Sequence, residues 1–184
     1  MLEGKLVRLR AIEPEDRARA AAWLGDPEVT RHLTYRYPSS DGDWLAGPPG
    51  PNGFANGVWL AIETKDGEHI GAVNLHRVHP EDRKAALGIV IGAKERWGRG
   101  YGGDAVLTMV RFAFREMNLN RVWLTVVEDH AAAIACYRRC GFQEEARLRQ
   151  EVYKDGRYRD FVLMAVLRDE LDELHDGSEG GNDA

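Results

Sequence analysis

Cysteine is scarce in this chain, since only Cys136 and Cys140 occur among 184 residues. Two cysteines four residues apart exclude the disulfide framework of a small secreted domain. The sequence also has no apolar run of about 18 residues and no apolar N-terminal segment, so it predicts neither a membrane span nor a secretion signal. We therefore expect a reduced, cytoplasmic protein.

An excess of basic charge is also missing, with 25 Lys and Arg against 30 Asp and Glu. Seven of the acids, and no Lys or Arg, fall in residues 169–184, which leaves 23 acids against 25 bases in the rest. This balance argues against a nucleic-acid partner. Residues 176–184 are polar and glycine-rich, so we expect a disordered acidic tail after a single domain over residues 1–175.

Apolar periodicity gives the element order β-α-(loop)-β-β-β-α-β-α-β-β, which predicts a mixed α/β (α+β) single domain. The segment 26–57 is irregular and rich in proline and glycine. We predict a long functional or mobile loop there, and it carries Tyr35, Tyr37, Trp44 and Phe54. The predicted strands are 5–10, 58–63, 70–78, 85–91, 121–127, 143–153 and 158–168, and the predicted helices are 15–25, 101–117 and 130–140.

Four glycines, Gly98, Gly100, Gly102 and Gly103, lie within six residues, directly before an apolar helix. Three of them match the spacing G-x-G-x-x-G of dinucleotide-binding folds, but the hairpin strands that precede them do not match that context. A nucleotide P-loop must end in Gly-Lys-Ser/Thr, whereas this chain has Gly102-Gly103-Asp104 there, so the sequence excludes a P-loop. Two interpretations remain: a helix N-terminus that binds a pyrophosphate through bare amides, with Arg96 and Arg99 adding charge, and a glycine-rich connection without a ligand.

Four segments in order resemble the GNAT acyltransferase superfamily: "VRLRAIEPED", "GIVIGAKERWGRGYG", "AAAIACYRRCGF" and "YKDGRYRDFVLMAVLRDE". The resemblance covers nearly the whole body and implies a GNAT fold, with a mostly antiparallel twisted sheet of about seven strands flanked by helices. "WGRGYG" resembles the loop that cradles the pyrophosphate of acetyl-CoA. Trp97 stands where the family more often has Gln or Arg. A tryptophan at this position resembles one branch of the family, that of the ribosomal-protein and spermidine N-acetyltransferases.

The resemblance implies roles for particular residues. Tyr137 matches the tyrosine beside the CoA sulfur, although helical spacing alone favours a core aromatic there. His130 matches an asparagine that contacts the CoA arm, and a helix N-cap without a ligand role, with Asp129 as the cap, is the alternative. The implied CoA-binding residues, taken from the phosphate loop, from a bulged central strand and from the later helix, are Gly88, Ile89, Val90, Ile91, Arg96, Trp97, Gly98, Arg99, Gly100, Tyr101, Gly102, Gly103, His130, Ala133 and Tyr137.

The general base is not evident in the sequence. Many relatives have a glutamate on the central strand where this chain has Ala85 and Ala86. Glu63, His76, His79 and Glu128 are the candidates, and a solvated surface position is the alternative for each. We expect no metal, because His76 and His79 lack further ligands nearby, and we expect Cys136 and Cys140 to be small buried hydrophobes.

The resemblance implies an acetyl-CoA-dependent N-acetyltransferase that moves an acetyl group directly to a primary amine. The acceptor is a protein N-terminus, a polyamine or another small amine. An inactive acyl-CoA-binding sensor is the alternative, because of Ala86 and His130, and a nucleotide-binding oxidoreductase is a third candidate. Edge strands near the C-terminal hairpin also indicate a possible homodimer.

Overall fold

The computed structural model describes residues 1–34 and 57–171, and these residues form one eight-stranded sheet with helices on both faces. The strands lie in the order β1-β2-β3-β4-β5-β6-β8-β7, and every neighbouring pair except β5 and β6 is antiparallel. The strands are β1 Leu2–Glu3, β2 Val7–Arg10, β3 Val58–Thr64, β4 His69–His79, β5 Lys84–Ile91, β6 Arg121–Val127, β7 Gln143–Lys154 and β8 Arg157–Leu167. The helices described are α1 Pro14–Leu24, α2 Pro27–Thr30, α3 Tyr101–Arg115 and α4 Ala131–Arg139, with a 3-10 turn at Lys94–Arg96.

The predicted fold class is confirmed, and each predicted strand and helix ends within two residues of its observed bound. The sheet has eight strands instead of about seven, because Leu2–Glu3 pairs with Arg8 and Leu9 of the predicted first strand. Helix α2 lies inside the segment predicted to be irregular, and its N-cap Asp26 accepts a hydrogen bond from the amide of Glu28 at 2.8 Å. The predicted aromatic loop residues and the predicted acidic tail lie outside the described residues.

Alternation along the strands divides the sheet into two faces. On one face, which we call the α3 face, Val106, Met109 and Val110 of α3 are fully buried in the main core. On the other, which we call the α1 face, Ala20 of α1 packs with Val90 of β5. None of the helices among the residues described is long and apolar enough to cross a membrane.

Strands β5 and β6 pair over only three residues, Lys84–Ala86 with Arg121–Trp123. Beyond that point β6 continues to pair with β8 as far as Val127, whereas β5 continues alone on this side. The parallel strands thus separate and leave a gap between residues 87–91 of β5 and 124–127 of β6. Among residues 1–34 and 57–171, no strand pairs with this backbone edge of β5 along the gap.

Candidate active site

The glycine-rich loop between β5 and α3 turns the chain through two left-handed residues. Gly98 has φ 72° and Gly100, the N-cap of α3, has φ 87°. A residue with a side chain loses roughly 1–2 kcal/mol of stability in the left-handed region, because its Cβ clashes with the backbone. Glycine has no Cβ, so it adopts this conformation without that loss. A Cβ at Gly98 would meet no heavy atom within 4 Å, so the loop is open to its surroundings there.

The start of α3 presents a row of unbonded backbone amides. Among the described residues, no acceptor is found for any amide from Gly98 to Gly103, and the first that bonds is the amide of Asp104, which donates to the Gly100 carbonyl at 3.0 Å. Orphan amides and the positive end of the helix dipole together favour an anion such as a phosphate. The side chain of Arg99 is exposed and pairs with no residue in the described ranges, so it is free to add a charge.

Arg96 and Trp97, both predicted to bind the cofactor, hold the loop in place in this structure. The Arg96 guanidinium forms an ion pair with Glu68 of the β3–β4 turn and lies 5.9 Å from the centre of the Tyr101 ring. The Trp97 indole N–H donates to the carbonyl of Ile91, the last residue of β5, at 2.7 Å. The charge of Arg96 is thus already compensated, and Trp97 fastens the loop to the strand that precedes it.

A buried carboxylate anchors the first turn of α3 on the sheet. The Asp104 side chain accepts hydrogen bonds from the backbone amides of Lys5, Leu6 and Val7, at 3.0, 2.6 and 3.0 Å. A Cβ at Gly4 would approach the Asp104 carboxylate to 2.4 Å, so glycine makes this contact possible. The row of amides is therefore held rigidly against the β1–β2 hairpin.

The predicted residues Gly88–Ile91 lie along the gap. Their pairing with β4 runs without a register shift, so the bulge expected in this strand is not seen there. The amide of Gly92 donates to Ile70 of β4 at 2.9 Å, and alternation then turns the amides of Ile89 and Ile91 to the gap. Those two amides are free to pair with an extended polar chain lying in the gap.

Three predicted residues share one face of α4. His130 precedes the helix, and Ala133 and Tyr137 follow at helical spacing. A Cβ at Gly102 would lie 3.7 Å from the Ile91 side chain and one at Gly103 would lie 3.3 Å from the Cys136 sulfur, so the loop adjoins both the end of β5 and α4. Burial, with a smaller effect of Cys136 and Cys140, raises the pKa of Tyr137, and no hydrogen-bonding partner of its hydroxyl is found in the described ranges. The phenol therefore stays protonated and free to donate.

His130 itself is the N-cap of α4, so the proposed cap at Asp129 is wrong. Its ring stacks on His32, which follows α2, with centroids 4.1 Å apart and planes at 14°. Burial, followed by the neighbouring His32, lowers the pKa of His130 to about 4, so its ring is neutral at neutral pH. Asp129 instead lies 3.4 Å from His32 and from Arg157, joining α2 to the β7–β8 hairpin.

The two cysteines lie where α4 meets the start of α3. A Cβ at Gly103 would be 3.3 Å from the Cys136 sulfur and 3.8 Å from the Cys140 sulfur, which explains the glycine at this position. Cys140 is buried, as predicted, whereas Cys136 is half-buried. The hydrogen bond between the two thiols lowers the pKa of Cys136 and raises that of Cys140.

Of the four candidates for the general base, three are engaged elsewhere or exposed. Glu63 forms an ion pair with Arg10 at 2.7 Å, and Glu128 forms one with Arg147 at 2.6 Å. His79 is exposed at the end of β4. His76 is half-buried on β4, and its Nδ1 lies 2.8 Å from the Oδ1 of Asn74.

The sequence analysis did not single out Asn74, His32 or Asp104. Asn74 is 4% exposed and Asp104 is 9% exposed, so both are buried polar groups. A signal for Asn74 was present, because it is a lone amide in an otherwise apolar strand segment, "IGAVNL". No local pattern marks His32, since its partner is almost a hundred residues away in the chain.

Comparisons with known proteins agree with this geometry. The family model described as "Acetyltransferase (GNAT) domain" matches residues 7–143. The putative ribosomal N-acetyltransferase YdaF of Bacillus subtilis is 30% identical over 176 residues, which cover 89% of this chain and 92% of that protein. The spermidine N(1)-acetyltransferase of Vibrio cholerae is 30% identical over 109 residues, 59% of this chain and 62% of that protein.

A solved structure shares the fold. The crystal structure of spermidine N-acetyltransferase from Vibrio cholerae, in complex with CoA and spermine, superposes with a TM-score of 0.80 at 24% identity and covers 90% of this chain and 98% of that one. At this identity the likeness concerns the fold. The family model, which matches most of the chain, carries the assignment: the protein belongs to the GNAT family of N-acetyltransferases.

Proposed function

We propose that the protein transfers the acetyl group of acetyl-CoA directly to a primary amine while both substrates are bound. The observation that carries the proposal is the row of six amides from Gly98 to Gly103, which have no acceptor in the part of the chain that the structure describes and lie beside the gap between β5 and β6. Such a row fits the pyrophosphate of CoA, and an extended pantetheine arm fits the gap with its amides paired to those of Ile89 and Ile91.

The chemistry follows from the positions of the side chains. A departing thiolate needs a proton, and Tyr137, protonated and without a partner in the described ranges, is the donor that we assign. Free amides of β5 are suited to stabilise negative charge that develops on the acetyl oxygen. The acceptor that we propose is a protein N-terminus, a polyamine or another small amine, and two relatives are named as a putative ribosomal N-acetyltransferase and as a spermidine N(1)-acetyltransferase. We place the reaction in the reducing cytoplasm, where Cys136 and Cys140 stay free thiols.

A second candidate is an acyl-CoA-binding sensor without turnover. Two residues favour it: Ala86, where many relatives have a glutamate, and His130, where they have an asparagine. Such a sensor binds acyl-CoA through the glycine-rich loop and the gap between β5 and β6, but it does not carry out the proton transfers that acetylation requires.

One experiment separates these candidates. Thermal unfolding is followed with acetyl-CoA, CoA and NADPH, and release of the CoA thiol is then followed across amines that include spermidine and peptides with free N-termini. A ligand at about 100 times its dissociation constant adds roughly 2.7 kcal/mol of stability. We expect this shift with acetyl-CoA and CoA, together with turnover and intersecting initial-velocity lines. A shift without turnover on any amine supports the sensor, parallel lines contradict direct transfer, and no shift with acetyl-CoA rules out the proposal.

We also propose a homodimer through the edge strand β7. Tyr153 and Tyr158 at the tip of the β7–β8 hairpin are 50% and 62% exposed, with ring centroids 4.9 Å apart. An exposed aromatic pair beside an unpaired strand edge is suited to self-association. Light scattering after gel filtration should give twice the chain mass of 20.7 kDa, and Tyr153→Lys with Tyr158→Lys should give the monomer. A monomeric wild type contradicts this part of the proposal.

A further inference from the structure

The proposed reaction requires a group that takes a proton from the amine. The gap begins beside Ala86 of β5, whose own side chain has no titratable group. In the sheet, His76 of β4 is the direct partner of Ala86. Ala86 is also the last residue of β5 that pairs with β6, through Trp123. His76 is therefore next to the point where the gap begins.

The His76 side chain belongs to the α1 face of the sheet. Along β4, Val73 and Leu75 pack in the core on the α3 face, whereas Ala72 packs in the cluster on the α1 face. Alternation puts Asn74 and His76 on the same side as Ala72. Helix α3, whose start carries the phosphate-binding row, packs on the α3 face. An amine placed on the opposite face lies on the same side of the sheet as His76.

A hydrogen bond orients the imidazole. The His76 Nδ1 lies 2.8 Å from the Oδ1 of Asn74, and an amide oxygen only accepts, so the proton is on Nδ1. Nε2 then carries a lone pair, and no partner for it is found among the residues described. The Asn74 side chain packs over Gly88 of β5, where a Cβ would lie 3.0 Å from the Asn74 Oδ1. The glycine therefore leaves room for the Asn74 amide, which sets the tautomer of His76.

The surroundings keep the ring uncharged. Burial, with a smaller effect of Arg77, lowers the pKa of His76 below its ordinary value of 6.5. The Arg77 guanidinium lies 6.0 Å from the centre of the Trp123 ring. At this end of the three strands Lys84 forms an ion pair with Asp82, and Arg121 forms one with Glu145.

We propose that His76 is the general base of the transfer and that Asn74 is the residue that positions it. This inference rests on the proposed function. An N–H bond of the substrate ammonium breaks and its proton goes to Nε2 of His76. The amine nitrogen then forms a bond to the acetyl carbon, the carbon–sulfur bond breaks, and the leaving sulfur takes the phenol proton of Tyr137. The nitrogen, which still carries one proton more than the amide product, gives that proton to the Tyr137 phenolate and so restores the phenol. His76 returns its proton to solvent.

The test compares His76→Gln with His79→Gln, which changes an exposed histidine on the same strand. The glutamine amide keeps a polar side chain of similar reach and removes the basic nitrogen. We expect kcat/KM for the amine to fall about 100-fold or more in His76→Gln, with the KM for acetyl-CoA unchanged. The acid limb of the kcat/KM profile, which lies below pH 6.5 in the wild type because the pKa of His76 is lowered, should disappear. His79→Gln should keep both the rate and the limb.

Asn74→Asp supplies a second and independent readout. It keeps an oxygen acceptor for Nδ1 and adds a negative charge that favours protonated His76, so the acid limb should move to higher pH. A purely structural role for Asn74 does not move the limb. Wild-type rate and profile in His76→Gln, or an unmoved limb in Asn74→Asp, overturn the inference. A wild type that acetylates no amine contradicts the proposed function instead.

Discussion

Tyr137 shows how burial prepares a single residue for its task. A phenol with its pKa raised by burial keeps its proton across the physiological range, so it donates and does not titrate. We predict that Tyr137→Phe lowers kcat about 100-fold, because the leaving thiolate loses its proton donor. The dissociation constant for CoA, measured by calorimetry, should change little, since the aromatic ring remains.

Tyr153→Phe is the matched control for this substitution. It removes the same hydroxyl from a tyrosine that is half exposed on the β7–β8 hairpin. Thiol-release assays should show wild-type kcat in the control. Equal rates for Tyr137→Phe and Tyr153→Phe would remove Tyr137 from the reaction.

At the residue scale, the sequence predicted one site from the motif around Tyr137 and the glycines of the loop. In the structure Gly103 lies against Cys136, the residue before Tyr137. The partner of Arg96, Glu68, is 28 residues away, across a turn between two other strands. Local pattern carries no information on such a contact, so the role of Arg96 as an anchor of the loop was not predictable.

At the scale of elements, the connection from β5 to α3 contains a glycine whose effect on stability can be measured separately from its effect on CoA binding. Gly98 and Gly156 both have positive φ, 72° and 79°, and a Cβ at either one would meet nothing within 4 Å. We predict that Gly98→Ala and Gly156→Ala each lower the free energy of unfolding by roughly 1–2 kcal/mol. Only Gly98→Ala should weaken CoA binding, because its methyl group lies where the pyrophosphate approaches. Urea unfolding and calorimetry measure the two effects, and equal CoA affinity in both variants would contradict the assignment of the loop.

The anchoring of α3 predicts a different result for Asp104. Asp104→Ala removes the acceptor of three backbone amides, one of which, that of Val7, is buried. We expect the free energy of unfolding to fall by about 2–4 kcal/mol, because hydrogen bonds to a carboxylate are strong and a buried orphan amide is costly. Asp169→Ala, at an exposed position after β8, serves as the control and should change stability little. A loss for Asp104→Ala no larger than that of the control, measured by urea unfolding, would contradict the anchoring role.

At the scale of the whole molecule, the element order was predictable and the arrangement of the strands was not. Apolar periodicity located the elements because burial acts locally on each strand and helix. The place of β6 between β5 and β8 depends on crossovers through α3 and α4, and the gap depends on where two parallel strands stop pairing. The opposition of His76 and Ala86 follows from the register of the β4–β5 hairpin, which shifts between His76 and His79, so counting residues back from the turn does not predict it.

Burial of histidines gives the whole fold a dependence on pH. Burial lowers the pKa of His32, His69, His76 and His130, in each case from an ordinary value of 6.5. A group whose pKa is lower in the folded than in the unfolded chain takes up a proton on unfolding, so its stabilising effect is present above pH 6.5 and is lost as the pH falls below it. We predict that the free energy of unfolding, measured in urea, falls steadily from pH 6.5 to 5.

His130→Asn tests the origin of this dependence. The pKa of His130 is lowered to about 4, so between pH 6 and 5 it takes up nearly one proton on unfolding. Removing it should reduce the slope of unfolding free energy against pH by at most about 1.4 kcal/mol per pH unit. His79→Gln, at an exposed position, should leave the slope unchanged. Carboxylates such as Asp16 and Glu145, whose pKa values are lowered from ordinary values of 3.8 to 4.5, titrate below this pH range. An unchanged slope in His130→Asn would therefore mean that the His130 ring is as basic in the folded chain as in the unfolded one.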